Sequence, residues 1–523
     1  MSHFDDRRGY PAEYQLDEEK TDYLAPAPLS AQHAKVTIDE APAEDELVHK
    51  SPIFRWLAKI FAMGVEARGI ERVPEDERST KHMINVLILW FSVNTVLTTV
   101  PIGMLAQAYF NLDFQHAVAA IVAFTAIGSA TVGFIATLGP RTGLRTMVIS
   151  RYSAGYVGGA MFSILNILTQ LGFATIAVIL GGQTLNGISG KLPLVVGVIL
   201  VGIMSLIVCF FGYSALHHYE RYAWAVIFII YCMMYGLGGK AGYQTTLQTA
   251  MEDTGKVFAG DFLSFGAVVF SSAAGWAPVA ADFNVRLPAD TNPSKVFWMT
   301  WFGLMIPLVF VETLGAALMT VPVYAAAYAS GDAGGLITQV FEPWGGGGKF
   351  LLVILSFSVI ANNIPNTYSA ALSIQALHPI LQKVPRAIWT VIVFLTYTLA
   401  GVFGREHFSA ILNNFLSVLG YWIAFFIVIL AAEHFIFRKY VLDGYDLTVY
   451  DSIKHLPIGA AGILAGCAGA GGAVVGMAET WYIGPLAMKF GEYGGDLGFE
   501  LAAVVSLVVY LPLRYLEIKL IGR

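Results

Sequence analysis

The dominant pattern along the chain is a series of long apolar segments separated by short polar ones. A bilayer core of about 30 Å requires roughly 20 apolar residues per helix. On that measure the sequence predicts twelve membrane-spanning helices, at residues 83–107, 114–138, 152–181, 192–213, 222–239, 262–284, 296–328, 349–376, 387–404, 410–437, 457–480 and 498–520. The pattern therefore predicts an all-α polytopic membrane protein.

The first 82 residues follow a different pattern. Residues 1–50 are rich in Pro, Ala, Asp and Glu and lack sustained periodicity, which predicts a disordered cytosolic tail. Its lysines, Lys20, Lys35 and Lys50, are candidate sites of ubiquitination, although a plain solvated tail is favoured. Apolar residues at helical spacing within 51–82 predict an amphipathic segment, lying either on the inner membrane surface or against the underside of the membrane domain.

Composition supports the membrane assignment and excludes several classes of function. The chain is 56% hydrophobic and 13% charged, whereas soluble domains carry about 25% charged residues. Residues 1–82 hold 11 of the 31 Lys and Arg residues and 17 of the 37 Asp and Glu residues, so the remainder has balanced charge. No basic surface for nucleic acid is predicted, and membrane lipids are the expected surroundings.

Short motifs give no sign of an enzyme. The sequence has no nucleophile elbow, no zinc-protease motif and no phosphate-binding loop, so neither hydrolysis nor ATP-driven transport is favoured. The three cysteines, Cys209, Cys232 and Cys467, lie in apolar runs without metal-ligand spacing, which excludes a disulfide framework and a zinc site. No cofactor and no metal are expected. A carrier driven by an ion gradient remains.

Charge in the short loops predicts the orientation. With the amino terminus in the cytosol, the inner loops carry more Arg and Lys than the outer loops, which agrees with the positive-inside rule. Both termini, including residues 521–523, are then cytosolic.

Three predicted spans contain polar residues and helix breakers at mid-membrane depth. They are the first at Ser92–Thr95, the sixth at Ser271–Pro278, which includes Gly275, and the eighth at Asn362–Asn366, which includes Pro365. Irregular backbone at this depth is tolerated only where it lines a cavity. The first and sixth spans correspond if the chain repeats itself in inverted orientation. This predicts five-plus-five repeats at 83–240 and 262–437, followed by two extra helices at 457–520.

Amides and aromatic rings near these breaks are candidate substrate-binding groups. Asn362 and Asn366 share a helix face, and Asn363 lies about 100° around from Asn362. A carboxamide matches the edge of an uncharged heterocycle. The alternative is that these amides join helices to one another.

Aromatic side chains near the same breaks suit a planar substrate. Trp276 follows Gly275 and offers a face for a planar ring, unless it belongs to the interfacial belt. Phe162 lies one turn before Asn166, which places a ring beside an amide, although a single Asn also serves as packing contact. In the first span Ser92 is preferred over Asn94.

Carboxylates inside membrane helices usually mark ion or proton paths. Glu312, in the seventh span, is the strongest proton-coupling candidate, followed by Asp282 and Glu220. Each has a structural alternative, such as an ion pair between Asp282 and Arg286.

Several motifs resemble one known family. They are Gly69–Pro74 with the acidic residues after it, Gly139–Arg141, Arg151–Ser153, Tyr219–Trp224, Gly275–Trp276 and, most specifically, Ala361–Ser369. From about Gly69 onward the chain resembles fungal purine-cytosine permeases of the nucleobase-cation-symport-1 family. The resemblance implies a twelve-helix fold with inverted repeats. It also implies proton-coupled uptake of cytosine, adenine, guanine or hypoxanthine at the plasma membrane.

The resemblance also implies roles for individual residues. Substrate would be bound by Ser92, Trp276, Asn166, Asn362 and Asn366, with Pro365 shaping the turn and Phe162 as a further stacking ring. The residue pattern adds Asn363 as a candidate binding group and Gly275 as a candidate helix break. The family often has Trp where this chain has Phe162, which puts the substrate range in doubt. Bacterial hydantoin carriers of the family bind sodium through adjacent Ser and Thr hydroxyls, where this chain has Ser356 and Phe357. Protons are therefore favoured over sodium as the coupling ion.

The resulting prediction is a proton/nucleobase symporter that works by alternating access, with the base between Trp276 and Phe162. The alternatives are a carrier for allantoin, uracil, a B vitamin or a nucleoside, and a receptor that senses nucleobases. A membrane enzyme is disfavoured. The sequence does not specify the oligomeric state.

Overall fold

The computed structural model describes residues 69–79, 83–210, 212–245, 255–442, 444–491 and 493–523, with the backbone alone for residues 210 and 212–222. The predicted tail at 1–50, most of the predicted amphipathic segment at 51–82 and the side chain of Glu220 therefore lie outside the described residues. The same is true of the three tail lysines, Lys20, Lys35 and Lys50.

Within the described part of the chain the protein is almost entirely helical. The α-helices, numbered in chain order, are α1 (Met83–Asn94), α2 (Val100–Ala108), α3 (Phe114–Ala136), α4 (Leu138–Thr142), α5 (Thr146–Ile149), α6 (Arg151–Ile188), α7 (Leu194–Phe210), α8 (Gly212–Ala241), α9 (Lys256–Ala274), α10 (Pro293–Met319), α11 (Pro322–Phe341), α12 (Gly345–Leu377), α13 (Pro379–Gln382), α14 (Arg386–Gly404), α15 (Phe408–Ala432), α16 (Ala460–Gly476) and α17 (Gly498–Ile521). Short 3₁₀ helices lie at Glu75–Glu77, Leu97–Thr99, Ala277–Phe283, Glu342–Trp344 and Ala487–Phe490, and a π-helical turn lies at Glu433–Arg438. A small antiparallel hairpin pairs β1 (Ala478–Glu479) with β2 (Tyr482–Ile483).

Helices occupy all the segments that the hydrophobic pattern predicts to span the membrane. Of the described helices, nine are long and apolar enough to cross a bilayer, and a bent pair in the first predicted span raises this number to ten. The two remaining segments form shorter apolar helices, Leu194–Cys209 and Ala460–Gly476. The chain is thus a mostly helical, polytopic membrane protein, as the sequence predicts.

The seventh predicted span, at 296–328, is wrong at its carboxyl end. Helix α10 ends at Met319, and a separate helix, α11, begins at Pro322. Proline lacks a backbone N–H and is favoured in the first turn of a helix, so Pro322 begins a new helix instead of extending the old one. Helix α11 bends again at Gly331 and Asp332, where Asp332 has a φ of 55°.

Two of the three predicted helix breaks are present. In the first span, the segments Met83–Asn94 and Leu97–Ala108 make an angle of 60°. In the sixth span, α9 ends at Ala274 and is followed by Gly275, Trp276 and a 3₁₀ helix. These breaks lie where polar and small residues interrupt the apolar runs.

The third predicted break, at Pro365, is wrong, because α12 continues through this residue without a non-helical position. Pro365 is buried among neighbouring helices. Membrane helices tolerate proline in such surroundings, because neighbouring groups and small adjustments compensate for the lost backbone hydrogen bond.

Helices α6 and α12, which correspond to the third and eighth predicted spans, pack along their lengths. Ser356 donates to the carbonyl of Gly181 at 2.7 Å, and Asn166 donates to Ser373 at 2.8 Å. Because one residue number rises as its partner's falls, the two helices are antiparallel. This register places the turn that follows Asn166 level with the turn around Asn366.

Helices α2 and α10 cross in backbone contact. A Cβ atom on Gly103 would lie 1.7 Å from the carbonyl oxygen of Glu312, and one on Gly315 would lie 2.0 Å from that of Val100. Only glycine permits this approach at either position. The crossing holds Glu312 inside the bundle beside the first span.

A buried ion cluster joins α15 to the last helix, α17. The carboxylate of Glu433 is 1% exposed. It accepts hydrogen bonds from Arg438 at 2.7 Å, from Arg514 at 2.9 and 3.1 Å, and from the Tyr510 hydroxyl at 2.9 Å. A buried charge with this many donors stabilises the packing of the two helices only while all of its partners are present.

A second buried cluster joins α15 to the loop around the β-hairpin. The Tyr421 hydroxyl contacts the carboxyl groups of Glu479, at 3.1 Å, and of Asp496. Burial and the negative charge of Asp496 raise the pKa of Glu479 to about 8. Burial also raises the pKa of Asp496 to about 6. The folded protein therefore holds protons here at pH values at which exposed carboxylates release them.

Candidate functional site

The breaks in the first and sixth spans lie side by side and share a hydrogen bond. The indole N–H of Trp276, just beyond α9, donates to Oδ1 of Asn94, the last residue of α1, at 3.0 Å. The Asn94 amide donates in turn to the carbonyl of Trp90 at 2.8 Å. Ser92, which the sequence favours over Asn94, is buried two residues earlier on α1, and its hydroxyl has no hydrogen-bond partner among the described residues.

The Trp276 indole lies parallel to a second aromatic ring, that of Phe173 on α6. The ring centroids are 6.4 Å apart and the ring planes differ by 6°. The two ring faces thus lie on nearly parallel planes, an orientation that suits stacking on a planar substrate. A Cβ atom on Gly275 would lie 2.8 Å from the Phe173 ring, so glycine is needed at this break for space.

Phe162 is not the ring that faces Trp276. It is 0% exposed and packs against two rings of α15, those of Phe425 and Phe426, with centroid distances of 6.4 and 5.1 Å. The predicted placement of a heterocycle between Trp276 and Phe162 therefore differs from the geometry. The parallel ring lies on the same helix but about three turns further along.

Asn166 joins α6 to α12. Its Nδ2 lies 3.2 Å from the hydroxyl of Ser369 and 2.8 Å from that of Ser373, and its Oδ1 accepts from Nε2 of Gln170 at 2.9 Å. Both ends of the Asn166 amide are thus engaged. Gln170 is also buried, and its Oε1 has no partner among the described residues.

The amides of α12 reach the break in the first span. Nδ2 of Asn362 donates to the carbonyl of Val93 at 3.0 Å, and Nδ2 of Asn366 donates to Oδ1 of Asn362 at 2.7 Å. Because a carbonyl only accepts, this chain of bonds fixes the orientation of both amides. Oδ1 of Asn366 is left buried without a partner among the described residues. One turn away, Ser358 accepts from the backbone N–H of Leu97 at 3.1 Å.

Asn363 points elsewhere, as its position on the helix predicts. Its Nδ2 lies 3.3 Å from the hydroxyl of Ser205 on α7. The structure therefore groups Asn362 with Asn366 and separates Asn363 from them.

Several buried polar atoms on the elements around the parallel rings have no hydrogen-bond partner among the described residues. They include Oγ of Ser92, Oε1 of Gln170 and Oδ1 of Asn366. Buried polar atoms normally have partners, so a ligand that donates hydrogen bonds would satisfy them. The sequence analysis did not select Gln170 or Phe173, although both follow Asn166 on the same helix face, four and seven residues later.

Glu312 lies beside the break in the sixth span. Its side chain is 0% exposed, and its Oε1 accepts from the hydroxyl of Ser272 in the last turn of α9 at 2.8 Å. Its Oε2 has no hydrogen-bond partner among the described residues. A carboxyl group in this position is directly connected to the element that carries Trp276.

Asp282, the next candidate for proton coupling, has a different set of hydrogen bonds from Glu312. Asp282 accepts from the backbone N–H of Thr146 at 2.7 Å and from its hydroxyl at 3.1 Å, and its own carbonyl accepts from Arg145 at 2.9 Å. Asp282 therefore joins the end of the sixth span to the chain before α5. Among the described residues, no group of three or more His, Cys, Asp or Glu side chains lies close enough together to hold a metal ion.

Comparison with known proteins gives one consistent result. Residues 72–498 match the family described as permease for cytosine/purines, uracil, thiamine, allantoin. The chain is 38% identical over 466 residues to the purine-cytosine permease fcyB of Emericella nidulans, covering 88% of this chain and 90% of that protein. It is 32% identical over 522 residues to the vitamin B6 transporter TPN1 of Saccharomyces cerevisiae, covering 90% of each chain.

A solved structure shares the fold. Mhp1, a nucleobase-cation-symport-1 family transporter in a closed conformation with bromovinylhydantoin bound, superposes with a TM-score of 0.66 at 16% sequence identity. The match covers 87% of this chain and 96% of Mhp1. At this identity the likeness concerns the architecture alone.

Proposed function

Because the chain belongs to the family of permeases for cytosine/purines, uracil, thiamine and allantoin, we propose that it imports adenine, guanine, hypoxanthine and cytosine together with protons. As a family member the chain is a membrane transporter and not an enzyme. The substrates, the coupling ion and the plasma membrane as its location are parts of the proposal.

The observation that carries the proposal is the pair of parallel rings, Trp276 and Phe173, with unpaired polar atoms on the elements around them. Purine bases and cytosine are planar and carry N–H donors along their edges. The rings supply stacking, and the oxygens of Asn366 and Gln170 accept the hydrogen bonds that the base donates to water in solution. Ser92 offers a hydroxyl that both donates and accepts.

Alternating access follows from where these groups lie. They come from the broken first and sixth spans and from α6 and α12, so a bound base would hold the four elements together. In the proposed topology, twelve spans form five-plus-five inverted repeats with two extra carboxyl-terminal helices, and both termini are cytosolic. The broken helices then occupy corresponding places in the two repeats, as is typical of such transporters.

Proton coupling is assigned to Glu312. This buried carboxyl group lies inside a span and accepts from the Ser272 hydroxyl beside the break in the sixth span. Carboxyl groups in such positions usually mark ion or proton paths. Sodium is disfavoured because Ser356 donates to the carbonyl of Gly181 and is followed by Phe357, whose side chain has no oxygen to bind the ion.

The test is uptake of radiolabelled cytosine and adenine into cells that lack their own carriers, with and without a protonophore. We expect saturable uptake that collapses with the proton gradient. The variant Asn366→Leu should lose most affinity for both bases while reaching the cell surface in normal amounts. Surface-localised wild-type protein without uptake of any of the four bases would overturn the proposal.

A second candidate substrate is a vitamin B6 vitamer, because TPN1 is 32% identical to this chain. A substituted pyridine ring is also planar and also bears hydrogen-bond donors, so it fits between the same rings. Competition distinguishes the two. A vitamer that displaces adenine at lower concentration than cytosine does would make vitamin B6 the preferred substrate.

A further inference from the structure

The side chain of Asn94 has a fixed orientation. Its Oδ1 accepts from the indole N–H of Trp276, which only donates, and its Nδ2 donates to the carbonyl of Trp90, which only accepts. Exchanging the oxygen and the nitrogen of this amide would break both bonds. The Asn94 amide therefore always presents its oxygen, and not its nitrogen, to the indole N–H of Trp276.

The backbone of Asn94 is held as firmly as its side chain. Asn94 ends α1, and its carbonyl oxygen accepts from the Thr99 hydroxyl at 2.9 Å, across the break in the first span. Its side chain is buried, 3% exposed. The amide is thus anchored on both sides of this break and presents its oxygen to Trp276 across the space between the first and sixth spans.

The Trp276 ring is buried, 6% exposed, and packs against the rings of Trp90 and Phe173. It lies between the end of α9 and the 3₁₀ helix at Ala277–Phe283. The Trp90 ring meets it edge-on, with centroids 5.7 Å apart and planes 75° apart. The hydrogen bond from the indole N–H to Asn94 runs in the plane of the ring, so it adds a directional restraint on the ring angle to these packing contacts.

We propose that Asn94 is a positioning residue for substrate stacking: it holds the Trp276 ring parallel to Phe173 by accepting the indole N–H, and so removes that N–H from contact with the substrate. Trp276 then contributes a face and no hydrogen bond. Discrimination among planar substrates falls to the unpaired atoms of Ser92, Gln170 and Asn366. This inference rests on the proposed uptake of planar bases.

A double-mutant cycle tests the proposal. Asn94→Leu has a similar volume but cannot accept the indole N–H, and Trp276→Phe keeps an aromatic face but has no N–H to donate. Asn94→Leu should raise the KM for adenine and for cytosine about tenfold, with maximal rate per surface transporter nearly unchanged. In the Trp276→Phe background the same substitution should raise the KM less than about twofold.

A matched control is Asn284→Leu. Asn284 is also buried, and it also donates to the carbonyl four residues earlier, that of Ala280 at 3.1 Å, but its Oδ1 has no partner among the described residues. It should lower the amount of folded protein without changing the KM. If a variant transports too slowly for its KM to be measured, the dissociation constant of radiolabelled adenine for the purified protein takes its place. The same double-mutant cycle is then built from these dissociation constants.

Several outcomes would overturn the proposal. An equal rise in KM in both backgrounds would mean that Asn94 supports the helix break and not the indole. The ratio of the affinities for adenine and cytosine could also change in Asn94→Leu. This would mean that the Asn94 amide, or the indole N–H that the substitution frees, contacts the substrate directly. Absence of base uptake by the wild-type protein would instead refute the proposed function, which distinguishes the two failures.

Discussion

Replacing Phe173 and Phe162 one at a time decides which ring forms the second wall of the site. Both lie on one face of α6, but Phe173 is parallel to Trp276 and Phe162 packs against Phe425 and Phe426. Leucine at either position keeps an apolar side chain and removes the flat face. The two variants therefore make the same chemical change at two different positions along α6.

The magnitude follows from the contact that each variant loses. Stacking of a base on an aromatic ring contributes about 1–3 kcal/mol. Phe173→Leu removes one of two stacking faces and leaves Trp276 in place, so the loss belongs at the lower end, about 1 kcal/mol, or about fivefold in KM. Phe162→Leu loses an edge-to-face contact of about 0.5–1.5 kcal/mol, which lowers folding stability and leaves the KM within about twofold.

The assay is uptake of radiolabelled adenine over a range of concentrations, normalised to transporter at the cell surface. Thermal unfolding of the two purified variants supplies the stability measurement. If Phe162→Leu raised the KM and Phe173→Leu did not, the base would lie beside Phe162 and the reasoning from the parallel rings would be refuted. Equal rises would show that both act through packing of α6, which would refute it as well.

Three further predictions concern charged groups. Glu312→Gln imitates the protonated carboxyl group, so adenine uptake should become insensitive to external pH between about 5 and 8; an unaltered pH profile would limit Glu312 to packing. Arg514→Met removes a partner of the buried Glu433 and should destabilise the fold by about 3–5 kcal/mol, seen as a lower melting temperature with unchanged KM; an unchanged melting temperature would contradict this. Burial and a neighbouring carboxylate raise the pKa of Glu479 from 4.5 to about 8, so its contribution to stability is present below pH 4.5 and is lost as the pH rises through about 8. Glu479→Gln should flatten the fall in melting temperature over that interval, and the same slope in both proteins would rule out Glu479 as its source.

The positions of the helices follow from the sequence because lipid imposes a simple rule on length and polarity. A segment that crosses the bilayer must be apolar and about 20 residues long, and this information is local. The same rule does not fix where a helix ends inside a long apolar segment. Helix α10 ends at Met319 and α11 begins at Pro322, so this boundary depends on a local stop that average hydropathy does not register.

The helix breaks show how far local signals reach. Polar residues at Ser92–Thr95 and a Gly-Trp pair at Gly275 predict two breaks correctly, because both release backbone groups that must find partners. The Leu97 N–H and the Val93 carbonyl find theirs on α12. Pro365 gives the same local signal, but α12 continues through it because the surrounding helices preserve the helix. Such packing between distant segments cannot be read from the local sequence.

The contents of the site depend on long-range register. Phe162, Asn166, Gln170 and Phe173 recur on one face of α6, and periodicity makes them equivalent. What distinguishes them is the level at which the break of the sixth span meets this helix, which places Trp276 opposite Phe173. That level is set by contacts between residues about a hundred positions apart. The sequence therefore predicts which face of α6 lines the site, but not which turn of α6 lies opposite Trp276.

The break in the sixth span is held by side chains from two other elements. Asn94 binds Trp276 just after the break, and Glu312 binds Ser272 just before it. In the proposed mechanism the base acts on Trp276 and the proton acts on Glu312, so both ligands bias the same short segment. Coupling between two sites is reciprocal, because the free energies of binding form a closed cycle. The factor by which protonation of Glu312 tightens base binding must therefore equal the factor by which the base tightens proton binding, and cutting either hydrogen bond must reduce both factors together.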